Sequence, residues 1–220
     1  MREIVGYGEI IIEAIRGSTA YGLAREGSDI DIVGVFVAPT EDILSLDPPP
    51  ETLQRHDPDY THHEIGKFVR LALKCNPTVL ELLYMDRYEE LTEEGRMLID
   101  NRDAFLSRAA YDSYGAYAMA QARRLATKDD AEAWGRYGKH VRHCFRLLQQ
   151  GRQLLETGTM TLVVPNPEEL IALGHKPAEE VLAEFERVYE EFRAVKTALP
   201  EKPDRERVNE MLLAVRRGHW

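Results

Sequence analysis

The sequence has no long apolar segment, very few cysteines and no excess of basic charge. No stretch of the 220 residues approaches the ~20 consecutive apolar residues of a membrane-spanning helix, so no membrane partner is expected. Two cysteines, Cys75 and Cys144, are too few for a disulfide framework or, by themselves, for a zinc cage. The N-terminus lacks the basic-then-apolar layout of a signal peptide. We therefore expect a reduced protein of the cytoplasm.

The charge of the chain is acidic overall but unevenly distributed. Thirty-eight acidic residues against 28 lysines and arginines give a net charge of −10, which argues against a protein that coats DNA. Residues 1–110 carry 21 acids and 11 bases, whereas residues 111–157 carry 8 bases and 5 acids. An acidic first half beside a basic middle segment suits a metal site that faces an anion-binding wall.

Hydrophobic periodicity changes near residue 65. Before it, β-branched runs predict strands over residues 9–16, 29–38 and 60–64. Between them we expect a short helix over 19–25 and another that Thr40 caps. After it, apolar residues recur at helical spacing and predict long helices over residues 107–126, 131–156, 178–199 and 205–217. The predicted fold is α+β, with a small mixed-sheet domain over residues 1–65, extending to about 105, followed by an α-helical domain over 106–220.

The second predicted strand begins with two carboxylates. Asp29 and Asp31 are two residues apart, so both side chains point to one face of the strand, ~7 Å apart. They repel each other unless a cation lies between them, and magnesium takes carboxylate oxygens together with substrate phosphates. Gly17 and Ser18 lie where the first strand ends, a place where backbone N–H groups and a hydroxyl can hold a phosphate. A phosphate cradle that faces a magnesium site suits phosphoryl or nucleotidyl transfer.

These motifs carry a family resemblance. Gly17-Ser18 followed by Ser28-Asp29-Ile30-Asp31 resembles the GS…DxD signature of the DNA polymerase β-type nucleotidyltransferase superfamily. Within it, the chain resembles a branch of predicted nucleotidyltransferases associated with RNA ligase and RNA repair. The likeness continues at residues 64–68, 76–83 and 139–148, and so covers nearly the whole chain.

The resemblance implies a role for each residue of the motif. Gly17 and Ser18, with Ser28, would hold the triphosphate of a nucleotide. Asp29 and Asp31 would bind two magnesium ions, for which Mn²⁺ can substitute. One ion would activate the attacking hydroxyl, and the other would stabilise the pyrophosphate leaving group.

The superfamily usually takes a third metal-binding carboxylate from a neighbouring strand. Glu64 is the first candidate, because it matches the acidic position before the Lys-Phe pair of the next helix. Asp57 and Asp59 are rivals, since the third ligand should lie near the end of that strand. Glu64 could instead be a helix N-terminal carboxylate that the helix dipole favours.

The helical half offers a second wall for the site. Lys139, His143 and Arg146 lie at i, i+4 and i+7, on one helix face. The family resemblance implies that residues at this spacing face the nucleotide. Arginine can bind phosphate through two parallel hydrogen bonds. The alternative is an ordinary solvated basic face. Tyr21 is interpreted as a residue that supports the site locally and not as a catalytic residue.

The leading hypothesis is a magnesium-dependent nucleotidyltransferase. It would transfer a nucleoside monophosphate from a nucleoside triphosphate such as ATP to an acceptor hydroxyl and release pyrophosphate. Family association alone suggests RNA 3′ ends or tRNA as the acceptor. A small molecule or a protein side chain is the alternative acceptor. A nucleotide-binding or toxin-partner module that does not react is a further alternative, against which the intact Asp29 and Asp31 argue.

Overall fold

The computed structural model describes residues 3–4, 7–23, 30–56, 59–126 and 131–220. Within these residues six strands form one mixed sheet, in the order β1-β2-β3-β5-β4, with β6 paired to β2. The strands are β1 (Glu3–Ile4), β2 (Gly8–Arg16), β3 (Asp31–Val37), β4 (Thr52–His56), β5 (Asp59–Glu64) and β6 (Glu90–Leu91). The β3–β5 pair is parallel, and the other pairs are antiparallel.

Helices make up the rest of the regular structure in the described residues. They are α1 (Thr40–Ile43), α2 (Ile65–Ala72), α3 (Pro77–Leu80), α4 (Glu93–Asp100), α5 (Ala109–Ala126), α6 (Ala131–Thr157), α7 (Pro167–Leu173), α8 (Ala178–Arg193) and α9 (Arg205–Gly218). Two 3₁₀ segments lie at Glu81–Tyr84 and Arg102–Phe105. In the described part of the chain, no helix has the length and apolar character needed to cross a membrane.

The sheet and the helices share one hydrophobic core. Ile12, Val33 and Val35 are buried in the central strands and belong to the same cluster as side chains of α5, α6 and α8. Helices α5 and α6 pack closely because Gly151 of α6 has no side chain: a Cβ there would lie 2.8 Å from the Cβ of the fully buried Tyr114. The helical part of the chain therefore packs on the sheet domain.

Helix α9 returns the chain to the sheet domain. The Thr40 amide donates a hydrogen bond to the His219 carbonyl (2.7 Å), and the Thr40 hydroxyl donates one to the Arg216 carbonyl (2.7 Å). The Arg216 guanidinium contacts the buried carboxylate of Glu64 at 2.7 Å. Helix α9 is thus anchored to the start of α1 and the end of β5.

A glycine in β3 lets two buried polar side chains meet across the strand. Gly34 pairs with Glu13 of β2 on one side and with His62 of β5 on the other. His62 Nε2 and Glu13 Oε2 are 2.9 Å apart, and both residues are buried. Burial lowers the pKa of His62, and the Glu13 carboxylate offsets only part of that shift. The bare Cα of Gly34 is therefore a packing requirement of the sheet.

The sequence predicted most of these elements. The α+β fold, the strands at β2, β3 and β5, and the long helices α5, α6 and α9 are confirmed. Strand β4 was not predicted, because its half-exposed Thr-Leu-Gln-Arg-His segment has no apolar run.

Three local predictions are wrong. Helix α8 ends at Arg193, not at residue 199. Residues 19–22 form turns rather than the start of a helix. Pro39, not Thr40, occupies the N-cap position of α1, and the Thr40 hydroxyl donates to the Arg216 carbonyl instead of capping the helix.

We predict that Gly34→Ala destabilises the protein by roughly 1–3 kcal/mol, the usual cost of overpacking. The added Cβ would lie 2.4 Å from His62 Cδ2 and 2.6 Å from the Ile12 carbonyl oxygen, and the backbone atom cannot rotate away. Urea unfolding measures the change. Gly218→Ala is the matched control, because no heavy atom lies within 4 Å of a Cβ built there. Equal stability of the two variants would contradict the packing argument.

Candidate active site

A tight turn follows strand β2. Gly17 and Gly22 both have positive φ angles, +86° and +69°, which glycine adopts without steric cost. The Tyr21 amide donates to the Gly17 carbonyl (3.2 Å), and the Leu23 amide donates to the Ser18 carbonyl (2.8 Å). These bonds fold residues 17–23 back on themselves, and the segment is called the 17–23 turn below.

The 17–23 turn lies directly against Asp31. Arg16, the last residue of β2, pairs with Asp31, the first residue of β3. A Cβ on Gly17 would lie 2.7 Å from Asp31 Oδ2. The missing side chain of Gly17 is therefore what lets the turn approach the carboxylate, and the structure places Gly17, Ser18 and Asp31 together as the sequence predicted.

A pocket of about 370 Å³ opens between this edge of the sheet and helix α6. Its lining includes three of the residues predicted on α6, which face the turn and Asp31. The residues that line it are Arg16, Gly17, Ser18, Tyr21, Leu23, Asp31, Pro77, Thr78, Glu81, Lys139, Arg142, His143, Arg146 and Leu147. The two halves of the chain therefore build one cavity, with polar groups around an apolar patch of Leu23, Pro77 and Leu147.

Three cationic side chains of the pocket differ in their surroundings. Lys139 is exposed at the wall. Arg16 is half-buried beside the turn and donates a long hydrogen bond (3.4 Å) to the Thr78 carbonyl. Arg142 is half-buried, and its guanidinium lies close to Gly138: a Cβ on that glycine would be 3.1 Å from Arg142 Nη1. Together they give the pocket positive charge on both sides: Lys139 and Arg142 on helix α6, and Arg16 beside Asp31 at the sheet edge.

Arg146 is different, because its charge is already used inside the protein. Its guanidinium donates to the Glu81 carboxylate and, at 2.7 Å, to the Gln150 side chain. The Tyr21 hydroxyl donates to the other oxygen of Glu81 at 2.6 Å, and the guanidinium lies 3.6 Å above the Tyr21 ring. The prediction that Arg146 belongs to the site is consistent with its position, but its contacts here are to protein groups.

The pKa values of this buried group follow from its contacts. Burial disfavours the Glu81 carboxylate, but Arg146 and the Tyr21 hydroxyl outweigh it and hold the pKa of Glu81 below its ordinary value. Burial, and then the Glu81 charge, raise the pKa of Tyr21. Burial, together with the neighbouring Arg146 charge, lowers the pKa of His143 to about 4. His143 is therefore a neutral side chain of the pocket at pH 7.

The expectation that Glu64 is the third metal-binding carboxylate is corrected by the structure. Glu64 pairs with Phe36, five residues along β3 from Asp31, which is about 17 Å by strand rise. Its carboxylate accepts a hydrogen bond from the Gly66 amide (2.7 Å) and contacts Arg216. Glu64 caps helix α2, the alternative role that the sequence also allowed.

The rest of the predicted metal site falls partly outside the described residues. Ser28, Asp29 and the rival Asp57 are among those that the structure does not describe. The other rival, Asp59, begins β5 next to Tyr60, which pairs in parallel with Ile32. Asp31 and Asp59 therefore lie at the same end of the two strands. Within the described ranges, no three His, Cys, Asp or Glu side chains are grouped so that they could hold a metal.

Sequence reasoning missed Arg16 and Glu81. Both had a visible signal: Arg16 is a charged residue directly before the Gly-Ser pair, and Glu81 is a single charge inside the apolar run Val79 to Leu83. A carboxylate in such a run is expected to be buried and paired. Its partner, Arg146, is 65 residues away in the sequence, so no spacing pattern could identify it.

We predict that His143 makes the protein acid-sensitive. Its folded pKa of about 4 lies below the ordinary value of about 6.5, so its contribution to stability is complete above pH ~6.5 and is lost as the pH falls through about 4. His143→Gln should therefore flatten the decline of the unfolding free energy between pH 7.5 and 4.5, measured by chemical denaturation. His175→Gln, at an exposed site, is the control. Identical declines in wild type and His143→Gln would contradict this prediction.

Comparison with known proteins agrees with the motif. No curated protein sequence matches the chain. A crystal structure of a nucleotidyltransferase-like protein from Exiguobacterium sibiricum 255-15 is similar at 12% identity and a TM-score of 0.36, over 97% of this chain and 75% of that one, a likeness too distant to support any conclusion. A family model described as RlaP, RNA repair pathway DNA polymerase beta family, matches residues 5–214. The chain therefore belongs to the RNA repair pathway DNA polymerase beta family.

Proposed function

We propose that the protein is a magnesium-dependent nucleotidyltransferase whose nucleotide binds in the pocket between the 17–23 turn and helix α6. The observation that carries the proposal is the joint position of Gly17, Ser18 and Asp31 on one side of the cavity and Lys139 on the other. A nucleoside triphosphate has an anionic end and an aromatic base whose flat faces suit apolar contacts. The cavity offers a cationic wall for the first and an apolar patch for the second.

Each residue has a definite task in this proposal. The Ser18 hydroxyl would donate to the triphosphate, and the unshielded backbone at Gly17 would allow the phosphates to approach. Lys139 and Arg16 would bind phosphate oxygens by charge-assisted hydrogen bonds. His143, neutral at pH 7, would add no charge and could donate or accept one hydrogen bond.

The carboxylate at the sheet edge is of the ligand type that magnesium takes. Asp31 supplies a hard oxygen ligand that lies against the bare Cα of Gly17, so the carboxylate borders the phosphate cradle directly. Asp29, two residues earlier, and Asp59, at the same strand end, would complete the set. Bound magnesium would supply the charge that favours the attacking alkoxide and the leaving pyrophosphate.

The reaction is a displacement at the α-phosphorus. The acceptor hydroxyl oxygen bonds to the α-phosphorus, the bond from that phosphorus to the α,β-bridging oxygen breaks, pyrophosphate leaves, and the hydroxyl proton is released. We propose RNA as the acceptor, because the family is described by an RNA repair pathway. A small molecule or a protein side chain remains the second candidate for the acceptor, and transfer assays distinguish them.

We predict that Asp31→Asn lowers nucleotidyl transfer by more than about a hundredfold, because even partners outside the metal's direct ligands cost 10- to 100-fold when removed. The assay incubates the protein with magnesium, each of the four α-labelled triphosphates and, in parallel, total RNA, unrelated protein and a small-molecule extract. Asp42→Asn, an exposed carboxylate of α1 that does not line the pocket, is the control. Wild-type rates in Asp31→Asn would refute the proposed site, and label on no acceptor would refute the proposed activity.

We also predict that Gly17→Ala and Gly22→Ala destabilise the fold similarly but that Gly17→Ala lowers nucleotidyl transfer more. Both residues have positive φ, so both variants should lose about 1–3 kcal/mol of stability. Only the Gly17 side chain would displace Asp31, since a Cβ on Gly22 meets just Val163, at 3.1 Å. Transfer should therefore fall at least about tenfold further in Gly17→Ala, as expected when metal-site geometry is disturbed. Equal transfer rates at equal folded fractions would contradict the role of Gly17.

A further inference from the structure

A carboxylate and a guanidinium at the pocket wall are almost completely buried. Glu81 is 2% exposed and Arg146 is 4% exposed, although both border the cavity. One oxygen of Glu81 accepts from Arg146 and the other from the Tyr21 hydroxyl. Arg146 also holds Gln150 on its own helix. Both oxygens of the Glu81 carboxylate are thus engaged by protein groups, and Nη1 of Arg146 is engaged by Glu81 and Gln150.

Tyr21 is the point where this pair meets the 17–23 turn. Its hydroxyl is bound to Glu81 and its ring lies under the Arg146 guanidinium. Its amide donates to the Gly17 carbonyl (3.2 Å), and its own carbonyl accepts from the Val164 amide (3.2 Å). Side chain and backbone of one residue are therefore fixed by three other parts of the chain.

The charges support a role other than ligand contact. A lone carboxylate at position 81 would repel an anion in the pocket, and Arg146 cancels that charge at short range. If Nη1 of Arg146 left Glu81 for a phosphate, the buried carboxylate would lose its cationic partner, which is strongly unfavourable. Lys139, exposed on the same helix, carries no such cost.

We infer that Glu81 and Arg146 are positioning residues, which hold Tyr21 so that the Gly17–Ser18 backbone is set for phosphate before the nucleotide arrives. The inference rests on the proposed function for the identity of the ligand. A turn that is already ordered binds with less loss of conformational entropy. Lys139 contacts the nucleotide, and Arg146 acts through Tyr21.

Amide hydrogen exchange tests the positioning without relying on activity. The probes are the Tyr21 and Leu23 amides, whose hydrogen bonds close the turn. Tyr21→Phe keeps the ring and the ion pair but removes the hydroxyl. Glu81→Gln with Arg146→Gln removes both charges together, because removing one alone would leave a buried unpaired charge and could unfold the protein. Lys139→Ala is the control on the same pocket wall.

Tyr21→Phe and the Glu81→Gln/Arg146→Gln double variant should each speed exchange at these two amides roughly ten- to a hundredfold, the range for a lost hydrogen bond to a charged group. Combining them should add less than the sum of the two effects, because both weaken the attachment of Tyr21 to residue 81. Lys139→Ala should leave the exchange unchanged. Unchanged exchange in the first two variants, or equal acceleration throughout the sheet, would overturn the inference.

Calorimetric titration with Mg·ATP as the probe separates positioning from direct contact. Lys139→Ala should weaken Mg·ATP binding about tenfold or more, while amide exchange in the 17–23 turn stays as in the wild type. The Glu81→Gln/Arg146→Gln variant should weaken it only together with faster exchange at the turn. Weaker binding with unchanged exchange in that variant would show that Arg146 contacts the nucleotide and overturn the inference. Absence of Mg·ATP binding to the wild type, with the expected exchange pattern, would count against the proposed function and leave the turn-holding role supported.

Discussion

The candidate site depends on one buried ion pair, between Glu81 and Arg146. Taking both charges out of water is costly, and the pair is tolerated only where further hydrogen bonds satisfy it. Tyr21 and Gln150 supply those bonds here. The pair also joins three distant segments, namely the turn after β2, the 3₁₀ segment after α3, and helix α6. The pocket exists because these segments are held at this distance.

Local features of the site could be predicted from the sequence, and long-range pairings could not. Gly17, Ser18 and Asp31 lie within 15 residues of one another, so turn and strand rules place them together. The partner of Glu81 comes from a helix 65 residues later, and no spacing rule selects Arg146 over the other bases of that helix. The same limit applies to His62 and Glu13, which meet across the bare Cα of Gly34.

The misplacement of Glu64 has a similar origin. A third carboxylate was expected on a strand beside β3, and β5 is that strand. Its register could not be derived from the sequence, and that register puts Asp59, not Glu64, at the level of Asp31. The two ends of this strand pair therefore serve different purposes: one borders the pocket, while the other caps α2 and binds Arg216.

The anchoring of helix α9 has a consequence for folding. The hydrogen bonds from Thr40 to Arg216 and His219 close loops of more than 170 residues, and the Arg216–Glu64 contact closes one of about 150. Contacts of such large sequence separation form slowly, because the entropy of closing the loop is lost before the contact stabilises the chain. During synthesis, the buried Glu64 carboxylate has no cationic partner from α9 until Arg216 has left the ribosome. The sheet that carries Asp31 therefore reaches its full stability only after helix α9 has been made.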